Sequence, residues 1–440
     1  MKLSFATLII AVLLTACNTN TQYQASLQQA SLYTRTVHQL NTVVVGDNFP
    51  PMIAARNNVY AAIAAYEVIA TDSLSGYTSL QGKLTGLTKL YTPATNSNNN
   101  VNLAAQLAYI KVGEALTFPE GSMVNYRDSM LYNLKQQGLT AKVLKASQLL
   151  ADTVANQILA WAKKDNYLQT RSAERYNVKY QDGRWVPTPP MYAQGVEPYW
   201  CTIRPMVMDS AAQFKPLPPP PYNMADKQSI FYREVRAVKN TVDSLTAEQQ
   251  HIANFWDDNP FKLNVIGHVM FATKKFSPPG HWMNITGIAN LNNKATIAKA
   301  IYANAIVAIA LYDAFISCWD EKYRSNYVRP ETVINKTIGN NWQPYIQTPP
   351  FPEYTSGHAV ISAAAAEVLT AIYGVSNKYT DDSEQPYGIA SRSYSSYKQA
   401  AAEAAISRYY GGIHYRNSCI TGTSMGEKLG VFIVSKLQVK

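Results

Sequence analysis

Long segments rich in Ala, Leu and Ile most constrain how this chain can fold. Apolar residues recur in them at every third or fourth position, which is typical of helices that bury one face. We predict helices over residues 52–70, 102–116, 141–164, 247–256, 295–320, 359–373, 397–410 and 419–437. Because few runs alternate Val, Ile or Thr with polar residues, the sequence predicts an all-α fold of two packed helical bundles.

A stretch rich in proline and aromatic residues, 185–222, interrupts the helical pattern. Prolines cluster at 187–190 and again at 218–221, and proline has no amide hydrogen to donate within a helix. We therefore predict an extended strap. A flexible interdomain linker is the alternative, but Trp185 and Trp200 supply apolar surface that favours packing across the bundle.

The amino terminus has the features of an export signal. Lys2 precedes the apolar stretch 3–14, which is shorter than the roughly 20 residues that a membrane-spanning helix needs. Leu14-Thr15-Ala16-Cys17 resembles the bacterial lipoprotein cleavage motif, which implies that Cys17 carries lipid. Asn18 rather than Asp follows, which favours the outer membrane. An ordinary signal peptide with an incidental cysteine is the alternative.

These features predict three regions. They are a lipoprotein signal peptide (1–16), an N-terminal helical region with the strap (17–222) and a C-terminal helical bundle (223–440). The Ala-rich segment 303–319 contains polar residues, so we expect a buried helix rather than a membrane span. The lipid anchor is then the predicted attachment to a membrane.

The distribution of charge argues against a nucleic-acid-binding protein, and the cysteine content limits the number of disulfides. The 39 basic residues exceed the 29 acidic ones, but no basic run of five residues occurs, which argues against a nucleic-acid partner. Apart from Cys17, the cysteines are Cys201, Cys318 and Cys419. At most one disulfide can form among them, and the sequence leaves its pairing open.

Two cations end the long Ala-rich segment. Lys322 and Arg329 are seven positions apart, so an unbroken helix would point both to nearly the same side. Pro330 then discourages continuation of the helix. A solvated charged face is the alternative to an anion site.

A second motif, Ser356-Gly357-His358, precedes the predicted helix 359–373. Ser356 is suited to cap this helix, and the first amides and the dipole of a helix attract anions. Gly357 permits close approach of the backbone to an oxyanion. His358 is a histidine, and the ordinary pKa of this residue type suits proton transfer near neutrality. A helix cap beside an incidental histidine is the alternative.

A third motif contains Arg408 and His414. On a straight helix these side chains would diverge, but Gly411 and Gly412 permit a bend that brings them together. The arginine offers a planar fork of donors for an oxyanion. A structural cluster of arginine and tyrosine is the alternative.

Together, Lys-x6-Arg-Pro, Ser-Gly-His and Ser-Arg-x5-His resemble the signature shared by vanadium-dependent haloperoxidases and type 2 phosphatidic acid phosphatases. The resemblance implies that vanadate or phosphate is bound by Lys322, Arg329, Arg408, Ser356 and the amide of Gly357. It also implies that His414 is the axial partner, as a vanadium ligand or a phosphorus nucleophile. His358 would be the acid–base residue.

Several features favour the haloperoxidase. The phosphatases usually carry Asp four residues after the final histidine, where this chain has Ser418. The lipid phosphatases span membranes repeatedly, whereas this sequence predicts no membrane-spanning helix. Trp319 and Phe351 resemble the aromatic walls of the haloperoxidase halide pocket, although they can also be ordinary core residues. Segments 257–260 and 278–282 look like parts of bacterial haloperoxidase-like proteins.

We therefore predict an exported, lipid-anchored haloperoxidase that uses vanadate, hydrogen peroxide and a halide, with iodide or bromide favoured. A soluble acid phosphatase and a non-catalytic oxyanion-binding lipoprotein are the alternatives. The organic acceptor and homo-oligomer formation stay open.

Five other residues are weighed separately. Asp313 is expected either to support the acid–base histidine or to form a helix cap or buried hydrogen bond. His281 is expected to be structural or at a rim. No function is assigned to His38, His251 and His268.

Overall fold

The computed structural model describes residues 21–92, 98–118, 121–259, 262–266 and 269–439, except the side chains of 262–266 and 269–273. The predicted signal peptide and Cys17 lie outside the described residues. In chain order the α-helices are α1 Gln22–Leu27, α2 Ala30–Gly46, α3 Pro51–Ile69, α4 Val101–Leu116, α5 Ser122–Gln136, α6 Ala141–Ala162, α7 Tyr167–Arg171, α8 Ile230–Asp243, α9 Ala247–Phe255, α10 Pro278–Asn292, α11 Ile297–Ser325, α12 Pro330–Thr337, α13 Gly357–Tyr373, α14 Tyr397–Tyr410 and α15 Arg416–Leu437.

The all-α prediction is confirmed. Within the described residues the strands form two short antiparallel hairpins, β1 Lys262–Ile266 with β2 Val269–Thr273 and β3 Tyr379–Asp381 with β4 Arg392–Tyr394. Each of the eight predicted helices is present, with ends shifted by a few residues.

The sequence analysis missed several helices, among them α2, α10 and α12. Helices α10 and α12 both begin with proline, which fits the first turn of a helix because the first amides have no internal partner. Proline therefore marks the start of a helix at Pro278 and Pro330, although at Pro330 the sequence had suggested only the end of the preceding helix.

Helix α11 lies at the centre of the molecule. It packs against α3, α10 and α13, while α13 also packs against α14 and α15. By length and composition α11 could cross a membrane, but its apolar window is completely buried among the other helices. This agrees with the predicted buried helix, and the arrangement places the C-terminal end of α11 beside the first turn of α13.

The proline-rich strap is packed on the helices. Trp185, Trp200 and Met206 are buried, and the Asp313 carboxylate of α11 accepts backbone N–H bonds from Met206 and the next two residues at 2.7, 2.8 and 3.2 Å. Asp313 therefore makes the buried hydrogen bonds that were one of its predicted alternatives.

All three described cysteines, Cys201, Cys318 and Cys419, are free thiols. No disulfide therefore stabilises the described part of this fold.

Candidate active site

Lys322 and Arg329 converge without sharing a helix. Helix α11 ends at Ser325, and Asn326 adopts a left-handed conformation (φ 47°) that turns the chain. Arg329 is the N-cap of α12, followed by Pro330. The two residues therefore do not lie on one unbroken helix, because the chain turns before Pro330, but both side chains are buried and lie over the Phe351 ring.

The Arg329 guanidinium joins two segments of the site. Its Nε donates to the Phe351 carbonyl (3.0 Å), and Nη1 donates to the Ile413 carbonyl (2.8 Å) and lies 3.2 Å from Nε2 of His414. Burial lowers its pKa to about 10, so it remains a cation at neutral pH. Nη2 is buried without a hydrogen-bond partner among the described residues.

Lys322 holds the segment that precedes α13. Its Nζ donates to the carbonyls of Pro352 (3.1 Å), Glu353 (3.0 Å) and Thr355 (2.6 Å). An ammonium has three protons, so these bonds use all of them. Burial lowers the pKa of Lys322 to about 8. Lys322 thus positions the backbone next to Ser356 and adds positive charge there.

The first turn of α13 presents an anion cradle. Ser356 occupies the N-cap position, but its side chain makes no capping bond, and its buried hydroxyl has no partner among the described residues. At Gly357, a Cβ atom would sit 3.7 Å from the Trp319 ring and 4.0 Å from Cε of Lys322, filling space at this turn. The hydroxyl and the free amides of the first turn therefore remain available to an oxyanion.

Glu353 fixes the ring of His414. Its Oε1 lies 2.7 Å from Nδ1 of His414 and also accepts the Tyr415 amide at 3.1 Å. Because Arg329 can only donate, Nε2 is the acceptor in their 3.2 Å contact and Nδ1 carries the proton. Burial and then Arg329 hold the pKa of His414 well below its ordinary value, so the ring is neutral with a lone pair on Nε2.

Sequence reasoning missed Glu353. Burial raises the pKa of this carboxyl to about 7, and the nearby Arg329 and Lys322 oppose that shift. The acid that orients the histidine therefore comes from the segment before α13. Its closeness in sequence to Ser356-Gly357-His358 was the available signal.

A glycine turn brings Arg408 and His414 to one cavity, as the sequence predicted. Helix α14 ends at Tyr410, and Gly412 has φ +77°, a conformation that other residues rarely adopt. Arg408 is buried, and its Nη1 donates to the carbonyls of Trp256 and, at 3.5 Å, Asp257. Its Nε has no partner among the described residues.

His358 lies opposite an aspartate on a different segment. Its Nε2 is 3.5 Å from Oδ2 of Asp258, and its side chain is 15% exposed. Burial and the nearby Arg408 lower its pKa to about 4, while Asp258 acts in the opposite direction. The ring is therefore neutral at physiological pH and able to accept a proton. Asp258 takes the supporting place that Asp313 had been considered for.

His281 is completely buried behind Asp258. Its ring nitrogens lie 3.0 Å from Asp258 and 2.9 Å from Asp381, so both carry protons and the ring is an imidazolium. Burial disfavours this cation, but the two carboxylates raise the pKa of His281 well above its ordinary value. The ring also stacks on Trp256, 4.6 Å between centroids. His281 is therefore structural, as expected, and fixes the aspartate that faces His358.

Trp319 and Phe351 form an aromatic wall of the same cavity. Their ring centroids are 5.0 Å apart, and Trp319 Nε1 donates to the Val196 carbonyl of the strap at 3.1 Å. The cavity has a volume of about 50 Å³, and its lining also includes His358 and His414. It therefore has room for a small ion between an apolar wall and polar groups.

Six of the candidate residues line this cavity, namely Trp319, Phe351, Gly357, His358, Arg408 and His414, and Arg329 contacts His414. Buried polar atoms without a partner among the described residues occur on three of the candidate residues, namely Nη2 of Arg329, Oγ of Ser356 and Nε of Arg408, whereas Nε2 of His358 faces Asp258. Buried polar groups are normally hydrogen-bonded, so unpartnered donors in the region where Nε2 of His414 faces the Arg329 guanidinium fit a bound tetra-oxo anion.

Comparisons with known proteins point in the same direction. Residues 303–439 match the family model for the VCPO second helical-bundle domain. A comparison with curated proteins finds no match.

Solved structures resemble nearly the whole chain. A bacterial vanadium-dependent iodoperoxidase is 42% identical, with a TM-score of 0.86 over 95% of this chain and 97% of that one. A holo-type bacterial vanadium-dependent chloroperoxidase is 17% identical, with a TM-score of 0.64 over 89% and 93% of the chains. Its apo form is 16% identical, with a TM-score of 0.65 over 89% and 95%. These two more distant structures share the fold.

Proposed function

Because the chain belongs to the vanadium-dependent haloperoxidases, which use vanadate, hydrogen peroxide and halide, we propose how its residues divide this chemistry. Arg329, Arg408, Ser356 and the Gly357 amide bind the oxygens of vanadate. His414 is the vanadium ligand through Nε2. The observation that carries this assignment is that Arg329, Ser356 and Arg408 have buried polar atoms without a hydrogen-bond partner among the described residues, while Arg408 and His414 line one cavity.

The proposed role of Lys322 differs from that of the residues that bind the vanadate oxygens. Its three protons are bound by backbone carbonyls, so it contributes positive charge and holds Ser356 in place. The charge of the cofactor oxygens is then balanced mainly by the two arginines, whose buried cations interact strongly with an anion.

His358 is the proposed acid–base residue. Vanadate supplies Lewis acidity toward hydrogen peroxide without changing its oxidation state. The neutral His358 ring accepts the peroxide proton, and the Asp258 carboxylate near Nε2 stabilises the resulting imidazolium. His281 holds Asp258 in the ionised form that this requires.

Iodide, followed by bromide, is the proposed halide. Trp319 and Phe351 present flat apolar surface to the cavity, which suits a large and weakly hydrated anion. The 42% identity to a protein described as an iodoperoxidase supports the same choice.

We further propose an exported protein that is anchored to the bacterial outer membrane through lipid on Cys17. The signal-like amino terminus supports this location. Formation of a homo-oligomer is compatible with the proposal.

Triiodide formation tests the site assignment. Purified protein is incubated with orthovanadate and assayed with hydrogen peroxide and iodide. We expect His414→Ala to lower the rate roughly 100-fold or more, because its loss removes the ligand. His38→Ala is the matched control, since His38 is exposed and bonded only weakly to Asn284 at 3.3 Å.

The same preparation distinguishes the phosphatase alternative. Vanadate-free protein is assayed with a generic phosphate ester, because Glu353 supplies the oriented histidine that a phosphorus nucleophile also needs. Ester turnover without any iodide oxidation would contradict our assignment, and silence in both assays would favour a binding protein.

A further inference from the structure

A large groove adjoins the proposed catalytic cavity. It has a volume of about 1110 Å³ and lies between strap residues 186–192 and the segment 331–348. Gln347 lines both this groove and the catalytic cavity. The two spaces therefore share a wall.

Both sides of the groove continue into the cavity. On the strap, Tyr192 lines the groove and Val196 lines the cavity. On the opposite side, Pro349 follows Gln347 into the cavity lining. The Val196 amide donates to the Pro350 carbonyl at 2.9 Å, which joins the two sides at this junction. A ligand in the groove would therefore lie next to the wall that the groove shares with the cavity.

The groove lining is neutral and partly aromatic. It contains side-chain amides and prolines together with the rings of Trp342 and Tyr192. Glu331 is the one charged residue among the described lining residues, and its buried carboxylate accepts the Thr348 hydroxyl at 2.5 Å. The lining therefore suits a ligand without net charge that offers flat apolar faces and hydroxyl groups.

Trp342 is held rigidly in this lining. Its backbone amide donates to Oδ1 of Asn335 at 2.8 Å, and its carbonyl accepts from Nδ2 at 2.9 Å. Its ring Nε1 donates to Asp243 at 3.2 Å. An aromatic ring fixed at both ends loses little conformational freedom when it contacts a ligand.

We propose that this groove binds the organic acceptor of halogenation, and that the acceptors are neutral phenols with more than one ring. The inference rests on the proposed function of the neighbouring site. Iodide, hydrogen peroxide and one proton give hypoiodous acid and water. Hypoiodous acid then iodinates a ring carbon ortho to the phenolic hydroxyl. The C–I bond forms as the O–I bond of hypoiodous acid breaks, the C–H bond breaks, and the released proton combines with the released hydroxide as water.

The test compares 4-phenylphenol with phenol, on the wild-type protein and on Trp342→Ala, Tyr192→Ala and Tyr132→Ala. Tyr132 on α5 is the matched control, since its side chain is 63% exposed and that of Tyr192 is 64% exposed. Binding of 4-phenylphenol is measured by calorimetry without peroxide. Iodination of each phenol and triiodide formation without any phenol are then measured on the vanadate-loaded protein.

We expect the two groove variants to raise Kd and KM for 4-phenylphenol about tenfold, which corresponds to losing one aromatic contact of about 1.4 kcal/mol. The two groove variants should form triiodide at the wild-type rate. The Tyr132→Ala protein should match wild type in 4-phenylphenol binding, in KM and in triiodide formation. Absence of saturable 4-phenylphenol binding, or binding unchanged in both groove variants, would overturn the groove assignment. Absence of triiodide formation by the wild-type protein would instead contradict the proposed function. Calorimetry would still show whether the groove binds 4-phenylphenol.

Discussion

At the scale of single residues, the proton on His414 is placed by Glu353 and not by residue 418. The sequence contains Ser418 where related phosphatases usually carry Asp, and this absence was weighed as an argument about function. The structure supplies the carboxylate from a segment 61 residues earlier in the chain. A position-by-position comparison could not find it, because the same contact is made from another part of the fold.

Removing Glu353 should weaken vanadate binding. We expect Glu353→Ala to raise the half-saturating vanadate concentration about 10- to 100-fold, because Nδ1 of His414 and the Tyr415 amide lose their acceptor. Glu353→Gln retains an acceptor oxygen and should raise the half-saturating vanadate concentration less than Glu353→Ala. The measurements are vanadate titration of iodide oxidation and the vanadate-dependent increase in Tm.

Glu174→Ala serves as control, since Glu174 is exposed. An unchanged vanadate titration in a folded Glu353→Ala protein would show that this carboxylate does not orient the ligand.

At the scale of elements, glycines on α15 bring the site helix α13 close to its neighbour. Gly422, Gly426 and Gly430 recur every four residues on the face of α15 that contacts α13. A Cβ at Gly426 would collide with the Val360 carbonyl of α13. The first turn of α13 carries Ser356 and His358, so this close packing fixes the anion cradle from behind.

Gly426→Ala should therefore destabilise the protein by about 1–3 kcal/mol, the usual cost of overpacking a close interface. The measurement is the free energy of unfolding from urea denaturation. Gly46→Ala is the matched control, because a Cβ at Gly46 meets nothing within 4 Å. Equal unfolding free energies for the two variants would mean that α13 and α15 separate at little cost.

Helices α3 and α11 contain segments of similar sequence, AAIAAYE at 61–67 and VAIALYD at 307–313. Glu67 and Asp313 occupy matching positions in the similar segments 61–67 and 307–313. Each is buried and accepts backbone amides of a loop, Leu80 for Glu67 and Met206 for Asp313. The two helices pack against each other. The similarity thus extends from composition to the use of the carboxylate.

At the scale of the whole molecule, one hydrophobic core contains residues from both halves of the chain. The strap contributes Trp200 and Met206 to this core, and its Arg204 donates to the Tyr60 hydroxyl of α3 at 2.9 Å. The site therefore depends on packing that extends well beyond the C-terminal region. The division at residue 222 stays a prediction.

Attachment to a membrane is the prediction that belongs to this scale. In a bacterial host that processes lipoproteins, we expect the wild-type protein to partition into the detergent phase of Triton X-114. Cys17→Ala should leave it in the aqueous phase or unprocessed, because the thiol is the site of lipid attachment. Mass spectrometry of the N-terminal peptide checks the modification, and Cys201→Ala is the control. An unmodified N-terminus on the wild-type protein would exclude the anchor.

The helical class, and the residue types and order of the candidate oxyanion motifs, can be read from the amino-acid sequence, because helical periodicity and short motifs are local properties. Which side chains contact one another depends on the packing of the folded chain. Arg329 lies after a chain turn and contacts His414. Glu353 contacts His414 and Asp258 contacts His358, each from a distant segment. The Ser356 side chain makes no capping hydrogen bond. Such pairings are set by how helices pack in three dimensions, and hydrogen bonds between distant segments leave no spacing rule in the chain.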